Sequence, residues 1–507
     1  MGYRPYHTAC DQLLGPDEPS IEAIKQKADE TEDWRVCPNC HEFIDGSGDI
    51  TIRKSRDTVV SSEETSEDGQ PTAILTAGLL FGDESKGAFV DYLTSITQAY
   101  TVVRYSGGPQ AAHRVVTPEG QQHVFSQFGS GTFLGAHTYL SRFMLVDPLR
   151  LITEAIHLRR QGVSDPLSLL AIDRRAVLVT PLHKLACQAR EQARGDGRHG
   201  SCGMGIWEAT RYARRYSEEA PTVADLGKPA DLHQKLHLLK ERMVKDLAFA
   251  ENIHSMTDAF RQLLRMDCDE LHQRYRDMDF IAYENLGRAR IVGDEYLPER
   301  MQSGTTIFEG SQGVLLDENY GFHPHTTGST TTFASVDRLL QEAGFAGKVQ
   351  RIGLTRSYTT RHGAGPLPTE IPVSPVDERH NKDHEWAGGF RVGPLDLVLL
   401  RHAIRLLGGV DGIAVSHMDH WPRFGRVATA YEAQPGDEHH LCRYGTALRG
   451  GKPLDASRTA ALGRMRPIYG AVDHAGGLGP FLVEHLETKV VSMASGETRN
   501  HRCGWDL

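Results

Sequence analysis

The chain has 507 residues and an ordinary globular composition, with 39% hydrophobic and 24% charged residues. Its formal net charge of −10 excludes a surface that coats nucleic acid, although a local basic pocket for one nucleotide remains compatible with it. The sequence contains no apolar run near the roughly 18 residues of a membrane span, no signal-peptide core, and eight scattered cysteines rather than a secreted disulfide framework. We therefore expect a cytoplasmic protein without a membrane or nucleic-acid partner.

Residues 1–70 form a charge-rich extension that is poor in periodic apolar residues and ends in a polar linker at 61–69. The extension contains Cys37-Pro-Asn-Cys40, followed by His41. A structural zinc site needs four ligands, usually supplied by two such pairs, and the chain has no second C-x-x-C. A turn that carries reduced thiols is therefore favoured over a zinc site.

Residues 71–507 are predicted to form one α/β domain, because strand-like apolar runs alternate with amphipathic helical stretches. The predicted strands are 73–80, 101–104, 177–180, 306–308, 349–355, 412–415 and 489–492, and the predicted helices are 88–93, 148–161, 231–247, 257–277 and 395–407. This alternation predicts a mainly parallel central sheet with helices on both faces and inserted subdomains. Active sites of such folds lie on loops beyond the carboxyl ends of the strands.

The first such loop, residues 81–88, reads Phe-Gly-Asp-Glu-Ser-Lys-Gly-Ala between a predicted strand and a predicted helix. Glycines let the backbone approach an anion, the helix start offers free N–H groups, and Lys86 adds positive charge. The P-loop pattern is absent. An acid beside a phosphate implies a bridging cation or proton chemistry, which makes Asp83 the first residue to explain.

Four later loops also carry reactive or hydrogen-bonding side chains. They are Arg104–His113, with a His after a Gly-Gly turn; Phe308–Asp317, with an amide at Gln312; His323–Thr332, rich in hydroxyls; and Arg356–Glu370. Each loop taken alone is also compatible with an ordinary solvated loop or a hydrogen-bonded histidine.

Taken together and in this order, these segments resemble the adenylosuccinate synthetase family from about residue 74 to residue 500. Residues 82–87 resemble the family's G-D-E-G-K-G, and 107–113 resemble G-G-x-N-A-G-H. The further similar segments are 308–317 to F-E-G-A-Q-G-x-x-L-D, 323–332 to Y-P-x-V-T-S-S-N-T-T, 358–370 to Y-T-T-R-V-G-x-G-P-F-P-T-E, and 415–419 to T-K-L-D. The resemblance implies the fold of this family and a ligase that forms C–N bonds.

The family joins IMP to aspartate with GTP and magnesium, first phosphorylating the purine 6-oxo group and then displacing phosphate with the amine. The resemblance makes Asp83 the base that removes the purine N1 proton and also a magnesium ligand. It makes His113 the acid partner and Lys86 a cation that offsets phosphoryl charge. Gln312 matches a residue that holds the nucleotide at the reacting centre.

The resemblance also implies a set of binding residues and a second magnesium ligand, the backbone carbonyl of Ala112. Asp419 matches the carboxylate that reads guanine and so selects GTP. In a homodimer, Arg214 or Arg215 would reach the nucleotide of the partner. The full set of nucleotide- and substrate-binding candidates is Gly82, Glu84, Ser85, Gly87, Gln110, Cys202, Arg215, Thr327, Arg391, Asp419 and Gly496.

The chain departs from the family pattern where the amino-acid substrate should bind. Two family arginines fall on Gly388 and Phe390, and only the last is kept, as Arg391. In the segment 200–206, a family Thr becomes Cys202 and an Arg becomes Met204, while His417 replaces a Lys beside Asp419. Aspartate with IMP and GTP is the default expectation. A paralogue that uses another amine, another nucleotide such as deoxyguanylate, or ATP is the alternative, and a non-catalytic nucleotide-binding protein is the alternative from another class.

Overall fold

A computed structural model describes residues 70–249, 257–277, 287–302, 304–378, 381, 385–386, 388–432, 456–472 and 477–505. The predicted extension, with Cys37 and Cys40, lies outside the described residues apart from Gln70. Within the described ranges, no helix is both long and apolar enough to cross a membrane.

A ten-stranded sheet forms the centre of the protein, as the alternating pattern predicts. Its order is β16-β15-β12-β9-β1-β8-β2-β5-β6-β7, and all neighbouring pairs are parallel except β15 with β16. These strands are β1 (Thr72–Gly78), β2 (Thr101–Arg104), β5 (His137–Leu140), β6 (Leu170–Asp173), β7 (Arg290–Val292), β8 (Thr305–Gly313), β9 (Lys348–Arg356), β12 (Gly412–Ser416), β15 (Lys489–Ala494) and β16 (Arg502–Cys503). A mainly parallel sheet is therefore confirmed.

Two smaller sheets carry the inserted loops. One is a two-stranded hairpin of β3 (His113–Val116) and β4 (Gln122–Phe125). The other has the order β10-β11-β13-β14 and consists of β10 (Tyr358–His362), β11 (Phe390–Asp396), β13 (Arg426–Glu432) and β14 (Arg466–Ala471). The second sheet follows directly from β9 of the central sheet, so it extends the site beyond the carboxyl edge.

Thirteen α-helices occur in the described residues. They are α1 (Lys86–Thr97), α2 (Pro148–Arg160), α3 (Pro181–Arg194), α4 (Ile206–Arg215), α5 (Pro229–Ala248), α6 (Asp258–Arg265), α7 (Cys268–Asp277), α8 (Tyr296–Arg300), α9 (Ala334–Glu342), α10 (Leu397–Leu406), α11 (Trp421–Phe424), α12 (Ala456–Arg464) and α13 (Leu478–Leu486). Helices α3 to α7 form a helical insertion between β6 and β7.

Three of the predicted elements differ in the structure. The stretch 177–180 is not a strand, because Val177 and Leu178 form only isolated bridges and Thr180 then caps α3. The single helix predicted over 257–277 is two helices, since Met266 is extended and the Asp267 side chain accepts from the backbone at the start of α7. The helix predicted from residue 395 begins at Leu397 because Asp396 ends β11 and caps it.

The carboxyl ends of β1 and β8 approach each other closely, and glycine makes this possible. The register between the two strands shifts after Thr76, so residues 310–312 bulge out of β8 before Gly78 pairs with Gly313. A Cβ atom on Gly313 would lie 2.2 Å from the Leu80 carbonyl oxygen and 2.5 Å from the Gly82 nitrogen. Because both neighbours are backbone atoms, no side-chain rotation relieves this contact.

We expect Gly313→Ala to destabilise the protein by about 1–3 kcal/mol, the usual cost of overpacking, and to displace the turn after β1. The matched control is Gly463→Ala in α12, where an added Cβ meets nothing within 4 Å and helix propensity favours alanine. Chemical denaturation of both variants measures the difference. Equal free energies of unfolding in the two variants would show that the backbones of β1 and β8 can move apart to accommodate the added methyl group.

Candidate active site

The loops at the carboxyl edge of the central sheet come from neighbouring strands. Asp83 follows β1, Glu309 lies near the end of β8, Arg356 ends β9, Asp419 follows β12 and Gly496 follows β15. Since β15, β12, β9, β1 and β8 are consecutive and parallel, their loops converge on one edge. Of the sequence-predicted candidates, Asp83, Asp419 and Gly496 therefore lie at this edge of the sheet.

The turn between β1 and α1 is held by a buried ion pair within it. The Glu84 carboxylate accepts from the Leu80 and Gly82 backbone N–H groups at 3.1 and 2.7 Å. Lys86 Nζ donates to Glu84 Oε2 at 2.9 Å and to the Gly82 carbonyl at 2.6 Å. Glu84 thus shapes the turn, and Lys86 is a buried cation paired with it rather than an unpaired charge.

Asp83 faces outward from this turn and is paired with Arg356. Arg356 Nη2 lies 2.5 Å from Asp83 Oδ2, and Asn381 donates to the same oxygen at 3.1 Å. Burial raises the pKa of Asp83, but the charge and hydrogen bond of Arg356 outweigh it, and the pKa falls to about 2. Asp83 is therefore ionised at neutral pH. A ligand group that displaced the Asp83 carboxylate from Arg356 would raise the pKa of Asp83 and so make Asp83 a stronger base.

His113, the first residue of β3, forms a buried pair with Glu309. Nδ1 lies 2.6 Å from Glu309 Oε1, and Nε2 lies 3.2 Å from the Ser311 carbonyl oxygen. Burial lowers the pKa of His113 and Glu309 opposes that shift, while Arg104 and His113 hold the pKa of Glu309 at about 2 against its own burial. The carboxylate therefore orients the ring and partly offsets burial, although the pKa of His113 stays below its ordinary value.

The turn and His113 are brought together by Gly87. A Cβ atom on Gly87 would lie 2.9 Å from the His113 carbonyl carbon and from the Arg114 carbonyl oxygen. Only glycine lets α1 pack this closely on β3.

Ser85, which precedes α1, has a left-handed φ of 57° and lies 3.4 Å from His417 Nδ1.

Two amide side chains at this edge have buried polar atoms without partners among the described residues. These are both polar atoms of Gln110 and Oε1 of Gln312. Gln110 Oε1 lies 3.1 Å from a Cβ position on Gly108, and Gln312 Oε1 lies 2.9 Å from one on Gly107. Buried polar groups normally have hydrogen-bond partners, so two amides beside one Gly-Gly turn fit a polar ligand.

The segment before α4 adds an apolar wall next to the Gly-Gly turn. Cys202, Met204 and Ile206 pack with Leu145, and Ile206 Cδ1 lies 2.9 Å from a Cβ position on Gly108. Met204 Sδ accepts from Arg150 at 2.7 Å. The replaced family residues therefore lie beside the nucleotide candidates, but they contribute sulfur instead of a hydroxyl and a guanidinium.

The arginines at the end of α4 have different partners. Arg214 reaches Glu318 Oε2 at 2.5 Å, whereas Arg215 reaches Asp246 of α5 at 3.3 Å, and both side chains are more than half exposed. Thr327 lies in the hydroxyl-rich loop, where its backbone N–H donates to the Leu316 carbonyl at 2.8 Å. Arg214 is thus the one that contacts the segment joining Gln312 to Thr327.

Arg391 lies across the β10–β11 ladder from Arg361 and is already engaged. It donates to Glu370 Oε2 at 2.7 Å and to the carbonyls of Gly363 and Gly365 at 2.5 and 2.8 Å. Arg361 is almost fully buried, and burial together with Arg391 lowers its pKa to about 9. A cavity of about 400 Å³ lies beside the Arg391–Glu370 pair.

The remaining predicted residues lie towards the β12 and β15 side. Asp419 has 43% of its side chain exposed and lies 3.3 Å from His420. A Cβ atom on Gly496 would lie 2.7 Å from the His501 ring, so this loop is closely packed. Ala112 is exposed directly before His113. The structure does not bring Asp419 into contact with Asp83, although His417, two residues before Asp419, lies 3.4 Å from Ser85 in the turn of Asp83.

Sequence reasoning missed three residues of this site: Glu309, Arg356 and His417. Glu309 could have been found as a lone acid that directly follows the apolar run Thr306–Phe308, because a buried charge needs a partner. Arg356 and His417 lie far from Asp83 along the chain, and only the β1–β9–β12 adjacency brings them to it.

These features define a class of protein: a nucleotide-dependent α/β enzyme whose site combines a carboxylate, a buried histidine and unpartnered amides. The comparison with protein families agrees, since the adenylosuccinate synthetase family model matches residues 75–453. The chain belongs to the adenylosuccinate synthetase family, and it is therefore a ligase that forms C–N bonds.

Individual relatives show how far the similarity reaches. Adenylosuccinate synthetase of Chlorobium chlorochromatii is 32% identical over 370 residues, which is 71% of this chain and 80% of the relative. The Thermoplasma acidophilum enzyme is 28% identical over 441 residues, covering 84% of this chain and 92% of the relative.

Two solved structures share the fold. The fully ligated adenylosuccinate synthetase from Plasmodium falciparum has a TM-score of 0.65 at 18% identity and covers 86% of this chain and 100% of its own. The cyanophage S-2L succinoaminodeoxyadenylate synthetase, bound to dGMP and dATP as an energy donor, has a TM-score of 0.50 at 15% identity and covers 86% and 96%. At these identities the similarity supports the fold alone.

We expect Arg356→Met to raise the pKa of Asp83, because burial would no longer be opposed by the adjacent cation. In the unchanged protein Asp83 stays ionised down to a pH of about 2, so it imposes no acid limb on kcat/KM between pH 5 and 9. In the variant, the raised pKa of Asp83 should make kcat/KM fall at the acid end of this range. Arg351→Met, on the same strand but paired with Asp337, is the control and should leave the profile unchanged.

We expect Glu309→Gln to lower kcat by about 10²–10⁴, since an amide can hold the wrong tautomer of His113. Glu154→Gln is the matched control, because Glu154 is equally buried but accepts from the backbone N–H groups of residues 126–128. Thermal melts and kcat of both variants separate the two roles. A loss of kcat that merely follows the loss of folded protein in both would contradict a positioning role for Glu309.

Proposed function

We propose that the protein is a Mg²⁺- and GTP-dependent ligase that phosphorylates the 6-oxo group of IMP and displaces the phosphate with an amine, with aspartate as the default. The observation that carries this proposal is that an ionised Asp83, paired with Arg356, and the buried His113–Glu309 pair lie at the same edge of the central sheet. One group can accept a proton while the other donates one, as activation of a 6-oxopurine requires.

The proposed proton transfers follow from the two ion pairs. When the purine binds, its N1–H would donate to the Asp83 carboxylate, which Arg356 keeps ionised. His113, held through Nδ1 by Glu309, would present a proton to the oxygen that becomes phosphorylated. Arg356 and Lys86 then keep positive charge near the developing negative charge. Gln110 and Gln312 would supply the buried amide contacts to the nucleotide.

The residues present fit the expected metal. Asp83 contributes a carboxylate and Ala112 a backbone carbonyl, and Mg²⁺ prefers such oxygen ligands. When bound, the ion would neutralise charge on the transferring phosphoryl group. Asp83 Oδ2 is also the oxygen that contacts Arg356, so metal binding and the ion pair would compete for this carboxylate.

The nucleotide donor and the assembly are carried over from the family. Asp419 offers a partly exposed carboxylate that can accept from guanine, which supports GTP. We further propose a homodimer, since Arg214 and Arg215 keep 58% and 59% of their side chains exposed at the end of α4.

A second candidate is the same chemistry with an amine other than aspartate. The positions of two family arginines are Gly388 and Phe390, and the Arg391 side chain is neutralised by Glu370. Losing two charge-assisted hydrogen bonds would remove roughly 3–6 kcal/mol of binding to a dicarboxylate. The carboxylate of Glu370 also lines the adjacent cavity and would repel a second negative charge. A neutral or monoanionic amine would escape that repulsion.

The assay incubates the protein with IMP, GTP and Mg²⁺, adds aspartate or one of a panel of amines, and measures phosphate release. We expect phosphate only when the correct amine is present, and at least about 10²-fold less in Asp83→Asn. Asp411→Asn is a matched control, because Asp411 is an exposed carboxylate that contacts the backbone of Arg351.

Each outcome distinguishes one candidate function from the others. Release with aspartate alone supports the family reaction, and release with another amine supports the second candidate. Release only with dGMP and ATP in place of IMP and GTP would favour the altered nucleotide. Silence with every combination, together with nucleotide binding by calorimetry, would favour a non-catalytic nucleotide-binding protein. Unchanged turnover in Asp83→Asn would refute the role of Asp83.

A further inference from the structure

A cluster of histidines and an aspartate lies on the helical insertion, outside the site described above. His233 and His237 lie one turn apart on α5, and Asp269 and His272 lie three residues apart on α7. These spacings put each pair on one face of its helix. The two helices pack through a shared apolar cluster that includes Leu232, Leu236, Leu239, Cys268, Leu271 and Tyr275.

Each histidine on α5 directs its Nε2 atom at the same carboxylate oxygen of Asp269. Nε2 of His233 lies 2.6 Å from Asp269 Oδ1, and Nε2 of His237 lies 3.1 Å from it. The potential ligand atoms of the three residues all lie within 4.8 Å of one another. Within the described ranges, this is the group of three histidine, cysteine or carboxylate side chains whose potential ligand atoms lie this close together.

The distances are close to those of a bound ion. Zinc binds imidazole nitrogen at about 2.0–2.1 Å and carboxylate oxygen at about 2.0–2.2 Å, so tetrahedral ligands lie about 3.3 Å apart. To reach that spacing, Asp269 would move away from the His233 ring by about 0.7 Å and from the His237 ring by about 0.2 Å. Its side chain is 72% exposed, and those of His233 and His237 are 44% and 49% exposed, so the cluster is open to solvent on one side.

His272 gives an independent indication. Its ring centroid lies 5.0 Å from that of His233. A hydrogen bond to the Pro229 backbone engages the ring, while Nε2 is buried and has no partner among the described residues. A histidine that donates one N–H to a backbone carbonyl presents a lone pair on the other nitrogen, which is the usual state of a metal-binding imidazole.

The cluster is separated from the nucleotide site. Asp246, the residue of α5 that contacts Arg211 and Arg215, lies on the same helix, and His237 is about 14 Å from it at 1.5 Å of rise per residue. An ion bound at the cluster would therefore link α5 to α7 without contacting the residues of the candidate active site.

We propose that His233, His237 and Asp269 form a site for a transition-metal ion of the zinc class, with His272 as the adjacent further nitrogen. Two imidazoles with one carboxylate suit Zn²⁺, Cu²⁺ and Ni²⁺, whereas Mg²⁺ and Ca²⁺ prefer oxygen ligands. The ion adds a further link between two helices that already meet through apolar contacts and these hydrogen bonds, so it stabilises the insertion. The competing explanation is that the two rings merely share a hydrogen-bonded carboxylate.

The experiment uses the tag-free full chain after removal of metal by a chelator. Co²⁺ is titrated while its visible absorption is recorded, and Zn²⁺ binding is measured by equilibrium dialysis. The variants are His233→Ala/His237→Ala, the conservative Asp269→Asn, and the control His485→Gln, which removes a histidine that stacks on Phe481 in another helix. Melting temperatures without metal establish that each variant is folded.

We expect the unchanged chain to bind one more equivalent of Co²⁺ than the double variant, with displacement by Zn²⁺ and none by millimolar Mg²⁺. Asp269→Asn should weaken binding by about 10–100-fold, and His485→Gln should not change it. Zn²⁺ should raise the melting temperature of the unchanged chain but not of the double variant. Equal stoichiometry in the unchanged chain and the double variant, or displacement by Mg²⁺, would overturn the proposal.

Discussion

The parallel contact between β1 and β8 is the constraint on which the site depends. At their carboxyl ends the two backbones approach so closely that only Gly313 fits beside the Leu80 carbonyl. The bulge that results in β8 turns Gln312 towards the Gly-Gly turn, and Glu309 stays buried below it, against His113. The same contact fixes the start of the turn that carries Asp83. A single packing constraint thus orients groups from three separate loops.

Two of the buried charges of the site are paired with a partner of opposite sign. Lys86 is paired with Glu84, and Glu309 with His113. Because an isolated buried charge is costly, these pairs make a charged site compatible with a folded core. Because these charges are already paired, a ligand that binds one of them must displace its partner. Asp83, whose partner Arg356 approaches from another strand, is the clearest case of such an exchange.

The proposed proton-transfer and amine-binding parts of the site match the family pattern to different extents. The turn around Asp83 and the loop of His113 keep the family pattern closely, and both lie against the sheet. The amine-binding loops lie on the second sheet, where Phe390 occupies a family arginine position and Glu370 engages Arg391. Replacements in such loops would change the substrate more readily than the activation step, because a loop can be replaced without disturbing the packing of β1 on β8.

The sequence by itself determined the fold class and the order of the loops. Alternating apolar strands and amphipathic helices require a layered α/β fold, and the motif around Asp83 has a local pattern that needs no tertiary information. Tertiary structure alone decided the partners. Arg356 lies far along the chain from Asp83, and Asp269 is separated from His233 by a whole helix, so no local pattern relates them. Strand order and helix packing bring these residues together, and neither can be read from spacing along the chain.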